Sequence, residues 1–337
     1  MIVLRRITPY AWKAALVLAV AVGGLWVATH GVAAVRWIDV FAVLRHVTPW
    51  RLVMLAAIWL GGLGIYSLVL SAALPGLGVR RSLVLNLSGS AVANVIPLGG
   101  AVATALNWRM VRTWGHSDRS FVAFCVLTNA LDILTKLLLP VVAVAALVAL
   151  SIHVPTVLWI ATVACAVALL VALVLLVAPS RGQAADGRED HRVSDRLSAV
   201  QAYVRDSAAR IRNLVVGHWP RLLPASIGYV AMQVVLLYFA LRSVGLDAPV
   251  TVVLAAAAIE RLGTLIPLTP GGTGIAEVGT IAWLVASGLD PVEVVAGVLL
   301  YRVFLIAMEI PLGGLLLGGW AWAHRDVATR LPEKVAA

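Results

Sequence analysis

Apolar residues run along this chain in long blocks separated by short polar links. Crossing a hydrocarbon core of about 30 Å takes about 20 apolar residues in a helix. Blocks of that length run from Tyr10 to Thr29, Pro49 to Leu74, Ser120 to Leu150, Pro155 to Ala178, Leu222 to Val244 and Pro291 to Ala323. Two more, Ser82 to Val111 and Val250 to Ser287, are broken near their middles by Ile96-Pro97-Leu98-Gly99-Gly100 and Ile266-Pro267-Leu268-Thr269-Pro270-Gly271-Gly272. The pattern predicts an all-α polytopic membrane protein. It should have about six to eight transmembrane helices, with two broken or re-entrant helical hairpins in an inverted repeat.

Basic residues orient these blocks, because Lys and Arg concentrate in cytoplasmic loops. The polar segment Ser180 to Arg221 carries eight arginines and reads as cytoplasmic. Arg80 and Arg81, the cluster Arg109, Arg112 and Arg119, and the tail with Arg325, Arg330 and Lys334 belong on the same side. The links Ser151–Pro155 and Gly245–Pro249 hold no Lys or Arg and read as external, while Arg36, Arg45 and Arg51 in the first external loop depart from the rule. Both ends of the first broken block then face the cytoplasm and both ends of the second face outward. About six crossings with two re-entrant hairpins satisfy this, since broken backbone at membrane depth must be buried in protein or line a wet cavity. Separate spanning of each half is the alternative.

The N-terminal Arg5, Arg6 and the apolar run from Ala14 to Thr29 resemble the start of a signal sequence. The run exceeds the usual apolar region of about 7–15 residues and no small-x-small cleavage site follows. It reads as a retained first helix with a cytoplasmic N-terminus. Residues 1–337 form one integral membrane domain: a first half to about 178, a basic linker over about 180–221, and a second half over about 222–323. In the linker, Val193, Leu197, Val200, Val204, Ala208, Ile211 and Val215 recur at steps of three and four. That describes an amphipathic helix, either on the cytoplasmic membrane surface or packed on the bundle. The paired breaks, each followed by a polar turn (Trp114–Asp118, Ser287–Asp290) and a long helix, suggest an internal repeat.

Composition narrows the function classes. The chain of 337 residues is 61% hydrophobic and 12% charged, with a mean hydropathy of +0.97. Soluble domains are about 45–50% apolar and about 25% charged, so a soluble enzyme, a disordered chain and a nucleic-acid module are excluded. The net charge of +10 serves topology rather than nucleic acid. Cys125 and Cys165 lie inside apolar blocks and make no disulfide or metal framework. No P-loop, dinucleotide fingerprint or His-Glu-x-x-His motif occurs, so no catalysis, cofactor or metal is expected.

Ionisable groups at membrane depth carry the candidate chemistry, each costing about 2.5–3.5 kcal/mol at a helix centre. They are Asp132, Lys136, Glu260, Arg261, Glu277, Arg302 and Glu309. Asp132 and Lys136, four apart, can neutralise each other as well as serve a substrate. Glu260 and Arg261 are adjacent, so they are expected to point apart and need separate partners. Glu309, just before Pro311, is expected near the cytoplasmic third of the last helix. Glu277 follows Pro270-Gly271-Gly272-Thr273-Gly274 and falls in the first turns of a helix whose free N–H groups suit an anion. Glu277 could cap those groups itself, with Arg302 as its partner or as a phosphate contact. A purely structural bridge is the alternative. The Gly314-to-Gly318 spacing predicts a close helix contact.

The run Pro267-Leu268-Thr269-Pro270-Gly271-Gly272-Thr273-Gly274-Ile275-Ala276-Glu277, with Gly288 and Arg302, resembles the signature of the flippase-like transmembrane domain of lysylphosphatidylglycerol synthases. Asn94, Pro97 and Arg109 look like that family's first-half motif, and Asp132 matches an acidic position. Thr128 and Asn129 stand where a Glu-Arg pair is frequent, and Ala101 where an acidic residue is. The resemblance implies a stand-alone member without the transferase domain, in a bacterial inner membrane. It implies movement of an anionic phospholipid or a polyprenyl-phosphate-linked glycan, with an envelope synthase or glycosyltransferase as a possible partner. A membrane-embedded lipid-modifying enzyme and a non-transporting partner of a lipid synthase are the rival readings.

Overall fold

The computed structural model describes residues 33–96, 99–152, 154–177 (backbone alone over 172–177), 219–265 and 272–325, with Gly23, Trp26, Gly31 and Gly217. Among them there is no strand. The first predicted crossing (apart from Gly23 and Trp26), the amphipathic linker helix, Pro97, Pro270 and Gly271 lie outside the described residues.

The long apolar blocks are helices: α1 Trp37–Arg45, α2 Pro49–Ala73, α3 Val79–Val95, α4 Gly99–Thr113, α5 Asp118–Ala149 and α6 Thr156–Val177. They are followed by α7 Trp219–Ser243, α8 Val250–Gly263 and α9 Ile275–Ala286, and α10 Pro291–Ala323. Helices α2, α5, α7 and α10 are long and apolar enough to cross a membrane. Their starts carry ordinary helix signals. Pro49 and Pro291 sit in the first turn, where a missing N–H costs nothing. Asp290 accepts from the N–H groups of Val292 and Glu293 at 2.9 and 3.1 Å. The short α1, inside the expected first external loop, is an addition to the sequence reading. Its Arg36–Asp39 ion pair holds the carboxyl of Asp39 below the usual range by direct hydrogen bonding.

The two broken blocks are pairs of short helices, each pair packed arm against arm. α3 and α4 have 17 and 15 residues, α8 and α9 have 14 and 12. At 1.5 Å per residue these are about 18–26 Å long, short of the bilayer core. Glycine brings the arms together. A Cβ on Gly99 would lie 2.5 Å from the Ala93 carbonyl oxygen, and one on Gly263 2.8 Å from Ala276 Cα.

The last helix joins the two pairs. Its N-terminal part, Pro291–Arg302, packs against α9, and its C-terminal part, Glu309–Ala323, packs along α3. Gly313 makes that second contact possible, because a Cβ there would fall 2.0 Å from the Leu87 carbonyl oxygen. This corrects the sequence reading: among the described residues Gly314 and Gly318 have no neighbouring atoms in range, and Gly313 is the close contact. Between the two parts, Val303–Ala307 forms a π-turn, closed by the Met308 N–H donating to the Val303 carbonyl at 2.9 Å. Such turns occur frequently at functional sites.

The core runs through α7, α8, α9 and the N-terminal part of α10, with Leu241, Val253, Ala256, Ile281 and Val295 fully buried. The outside is apolar as well: Val157, Ile160, Leu170 and Leu315 are more than half exposed, as a surface solvated by lipid requires.

Candidate functional site

Four charged side chains converge where α8, α9 and α10 meet. Glu260, on the last turn of α8, is 2% exposed, Glu277 is 4% exposed and Arg302 is 8% exposed. Arg302 Nε donates to Glu277 Oε1 at 2.6 Å, and its Nη1 donates to Glu260 Oε1 at 2.9 Å. Arg302 therefore bridges both arms of the second helix pair. Glu260 is shared: Arg261 grips it through both Nε and Nη2, the latter at 2.8 Å from Oε1. Arg261 Nη2 also reaches the Tyr301 hydroxyl at 3.4 Å.

The turn before α9 explains the position of Glu277. Gly274 has φ +94° and Gly272 has φ +69°, conformations that an L side chain rarely takes. A Cβ on Gly272 would also meet Thr264 Cα at 2.9 Å. This tight passage starts α9 so that Glu277 is the third helical residue, and its Oε2 accepts from the Gly274 N–H at 2.6 Å. That is the carboxylate half of a capping box. Glu277 thus occupies the helix N-terminus that sequence reading also offered to an external anion.

Two carboxylates and two guanidinium groups make the cluster neutral. Burying charges is strongly unfavourable unless they are paired and hydrogen-bonded throughout, and here every carboxylate oxygen has a donor. The expectation that Glu260 and Arg261 need separate partners is corrected. Although adjacent, they pair with each other, because the long arginine side chain curls back over one residue. Tyr301 went unnoticed in the sequence. Its hydroxyl beside Arg302, directly after the run Val294–Leu300 of small and aliphatic residues, was the available signal.

Residues 14–313 match the family described as the lysylphosphatidylglycerol synthase TM region. The chain belongs to this family. No curated protein matches it. Membership makes it a membrane protein tied to lipid and envelope biosynthesis.

The remaining candidates fall outside the four-charge cluster. Lys136 Nζ contacts Asp132 Oδ2 at 2.7 Å, a pair along α5 with Lys136 largely buried and Asp132 45% exposed. α5 packs on α8, and Lys136 lies within electrostatic range of Glu260. Asn94 is half-buried near the end of α3, and Arg109 is exposed on α4. The first-half candidates Asn94 and Arg109 and the second-half candidates Glu260 and Glu277 thus sit on different helix pairs, and among the described residues no side-chain hydrogen bond or ion pair joins the two sets. Glu309 is buried and nearer the middle of its helix than expected. It lies just past the middle of the 33-residue α10 and is 8% exposed. The sequence reading, which set it just before Pro311 near the cytoplasmic third of the last helix, is shifted toward mid-helix by this position. Among the described residues no His, Cys, Asp and Glu cluster could hold a metal.

Proposed function

We propose that the protein moves an anionic lipid, a phospholipid or a polyprenyl-phosphate-linked glycan, across a bacterial inner membrane, with Arg302 as the group that receives the phosphate. The observation that carries this reading is the shared bonding of Arg302. It is held by two carboxylates, and one of them, Glu260, has a second cation in Arg261. A phosphate arriving at Arg302 can replace Glu260 while Arg261 keeps that carboxylate neutralised. The exchange leaves no buried charge alone, which is the condition for a low barrier at depth. Glu277 stays bound to the Gly274 N–H throughout and holds Arg302 in position.

Two features support a lipid as the cargo. An apolar cleft of about 290 Å³ opens between α5 and α7, walled by Leu138, Val142, Ile227, Val234 and Leu254. Its polar end is Thr135, one residue from Lys136, so the pair Asp132–Lys136 sits where a chain in the cleft would meet its head group. In this reading the pairs α3–α4 and α8–α9 are re-entrant hairpins entering from opposite faces as an inverted repeat, and Asn94, Pro97 and Arg109 guide the head group on the first side. Both termini and the linker over 180–221 are cytoplasmic. Single cysteines at Ser180, Ser207 and Ala337, in a background lacking Cys125 and Cys165, should resist an impermeant thiol reagent in intact cells. Labelling from outside would overturn this topology.

The test of the function is reconstitution into vesicles with a fluorescent anionic phospholipid in one leaflet. The wild-type protein should equilibrate it and R302Q should not. Equal rates for the two proteins would remove Arg302 from the transport path.

A further inference from the structure

Glu309 is a buried carboxyl that the four-charge cluster does not use. It opens the C-terminal part of α10, directly after the π-turn, and among the described residues no cation pairs with it. Its polar neighbours are neutral: the Ser90 hydroxyl on α3 and the indole of Trp59 on α2, whose N–H makes no well-formed hydrogen bond. The groups facing it from other helices are Tyr66 on α2, Tyr229 on α7 and, within electrostatic range, Arg261 on α8. Arg261 is already engaged by Glu260.

The carboxyl also lines a cavity of about 10 Å³ enclosed by Ile58, Trp59, Tyr229, Gln233 and Leu305. That volume suits a single water, which needs about two to four polar partners. Two more are supplied there: Trp59 Nε1, a donor, and Gln233 Oε1, an acceptor, both buried without a well-formed hydrogen bond. A carboxyl withdrawn from water with no cation beside it is less costly to bury with its proton than without. Nearby hydroxyl and indole donors can nevertheless receive the anion for part of a cycle.

We propose that Glu309 is a proton-binding site that couples proton movement to a shift of the last helix between its two partners. The acid's O–H bond breaks, its proton passes to the cavity water to form hydronium, and the electron pair stays on the carboxylate. The carboxylate then accepts from Ser90 and Trp59, and the reverse step returns the proton. The placement gives the coupling a physical route. α10 carries Arg302 to the second helix pair and Glu309 to the first, and the π-turn between them is a place where the helix can change register. The coupling rests on the transport reading above, whereas proton binding at Glu309 stands independently of it.

The test is an infrared pH titration of the full chain in lipid nanodiscs, following the protonated-carboxyl stretch. The wild type should show a titrating buried acid that E309Q lacks and E277Q retains. Identical titrations for the wild type and E309Q would overturn the proposal. Should E309Q fail to fold, Trp59→Phe keeps the acid and removes a donor to its anion, so a larger protonated fraction is expected at a given pH. An unchanged titration in Trp59→Phe would count against the site. In vesicles, an imposed pH gradient should alter lipid movement by the wild type, with no such response in E309Q. An equal response in both would overturn the coupling. A wild-type protein that titrates at Glu309 yet moves no lipid would refute the transport reading and leave the proton site standing.

Discussion

The two helix pairs use the same packing device for different chemistry. In α3–α4, Gly89 and Gly99 let the arms touch, and a Cβ on Gly89 would press on the Asn107 amide at 2.9 Å. In α8–α9, Gly263, Gly272 and Gly279 do the same. The first pair buries only small neutral polar groups in its arms, Ser82 and Ser88 among them, with its arginines toward the ends. The second buries Glu260 and Glu277 and receives Arg302. Close backbone approach is thus a property of the scaffold, while buried charge belongs to the second of the two helix pairs. The last helix reads both, presenting a cation to the charged pair and an acid to the neutral one.

Removing the cation should have the largest effect on this asymmetry. R302Q leaves the Glu277 carboxylate buried with the Gly274 N–H as its remaining described donor. A loss of about 3–5 kcal/mol is expected, measurable by denaturant unfolding in micelles, together with loss of lipid movement. The double variant E277Q/R302Q should recover most of that stability, because Glu260 keeps Arg261, yet remain inactive. Transport at the wild-type rate in the double variant would reduce the pair to a structural bridge and erase the functional difference between the halves.

The shared packing device predicts smaller effects. Gly313→Val forces side-chain atoms against the Leu87 backbone and should cost about 1–3 kcal/mol. Gly314→Val, on the open face, should stay within about 0.5 kcal/mol of the wild type in the same unfolding assay. Equal losses at the two positions would mean that α10 does not lie on α3 as described. The smallest effect belongs to the exposed Arg109: R109Q should change stability by less than about 0.5 kcal/mol and slow lipid movement less than R302Q does. If R109Q stops transport as completely as R302Q, the first pair handles substrate directly and the contrast fails.

The long helices were legible from residue order to within a few positions, as with the Ser120–Leu150 block and the observed Asp118–Ala149. So were the two interruptions, because Pro and Gly act locally on backbone conformation. The capping position of Glu277 was legible too, since it depends on a spacing of only three residues from Gly274. The close contact at Gly313 was misread. Spacing alone favoured Gly314 and Gly318, and which face of α10 meets α3 is decided by neighbours far away in sequence.

Membrane insertion sums apolar contributions over a local window, and turns depend on a few successive torsions. The residue order by itself therefore determined that this chain is a helical membrane protein with two broken segments and ionisable residues inside apolar blocks. Only the tertiary structure decided how those charges are distributed. Arg302 finds Glu277 and Glu260 across 25 and 42 residues, and Glu309 shares a small cavity with Trp59 of α2 and Gln233 of α7. Those meetings depend on the rotation of α10 about its axis, which the π-turn and the glycine contacts set together and which no local periodicity encodes.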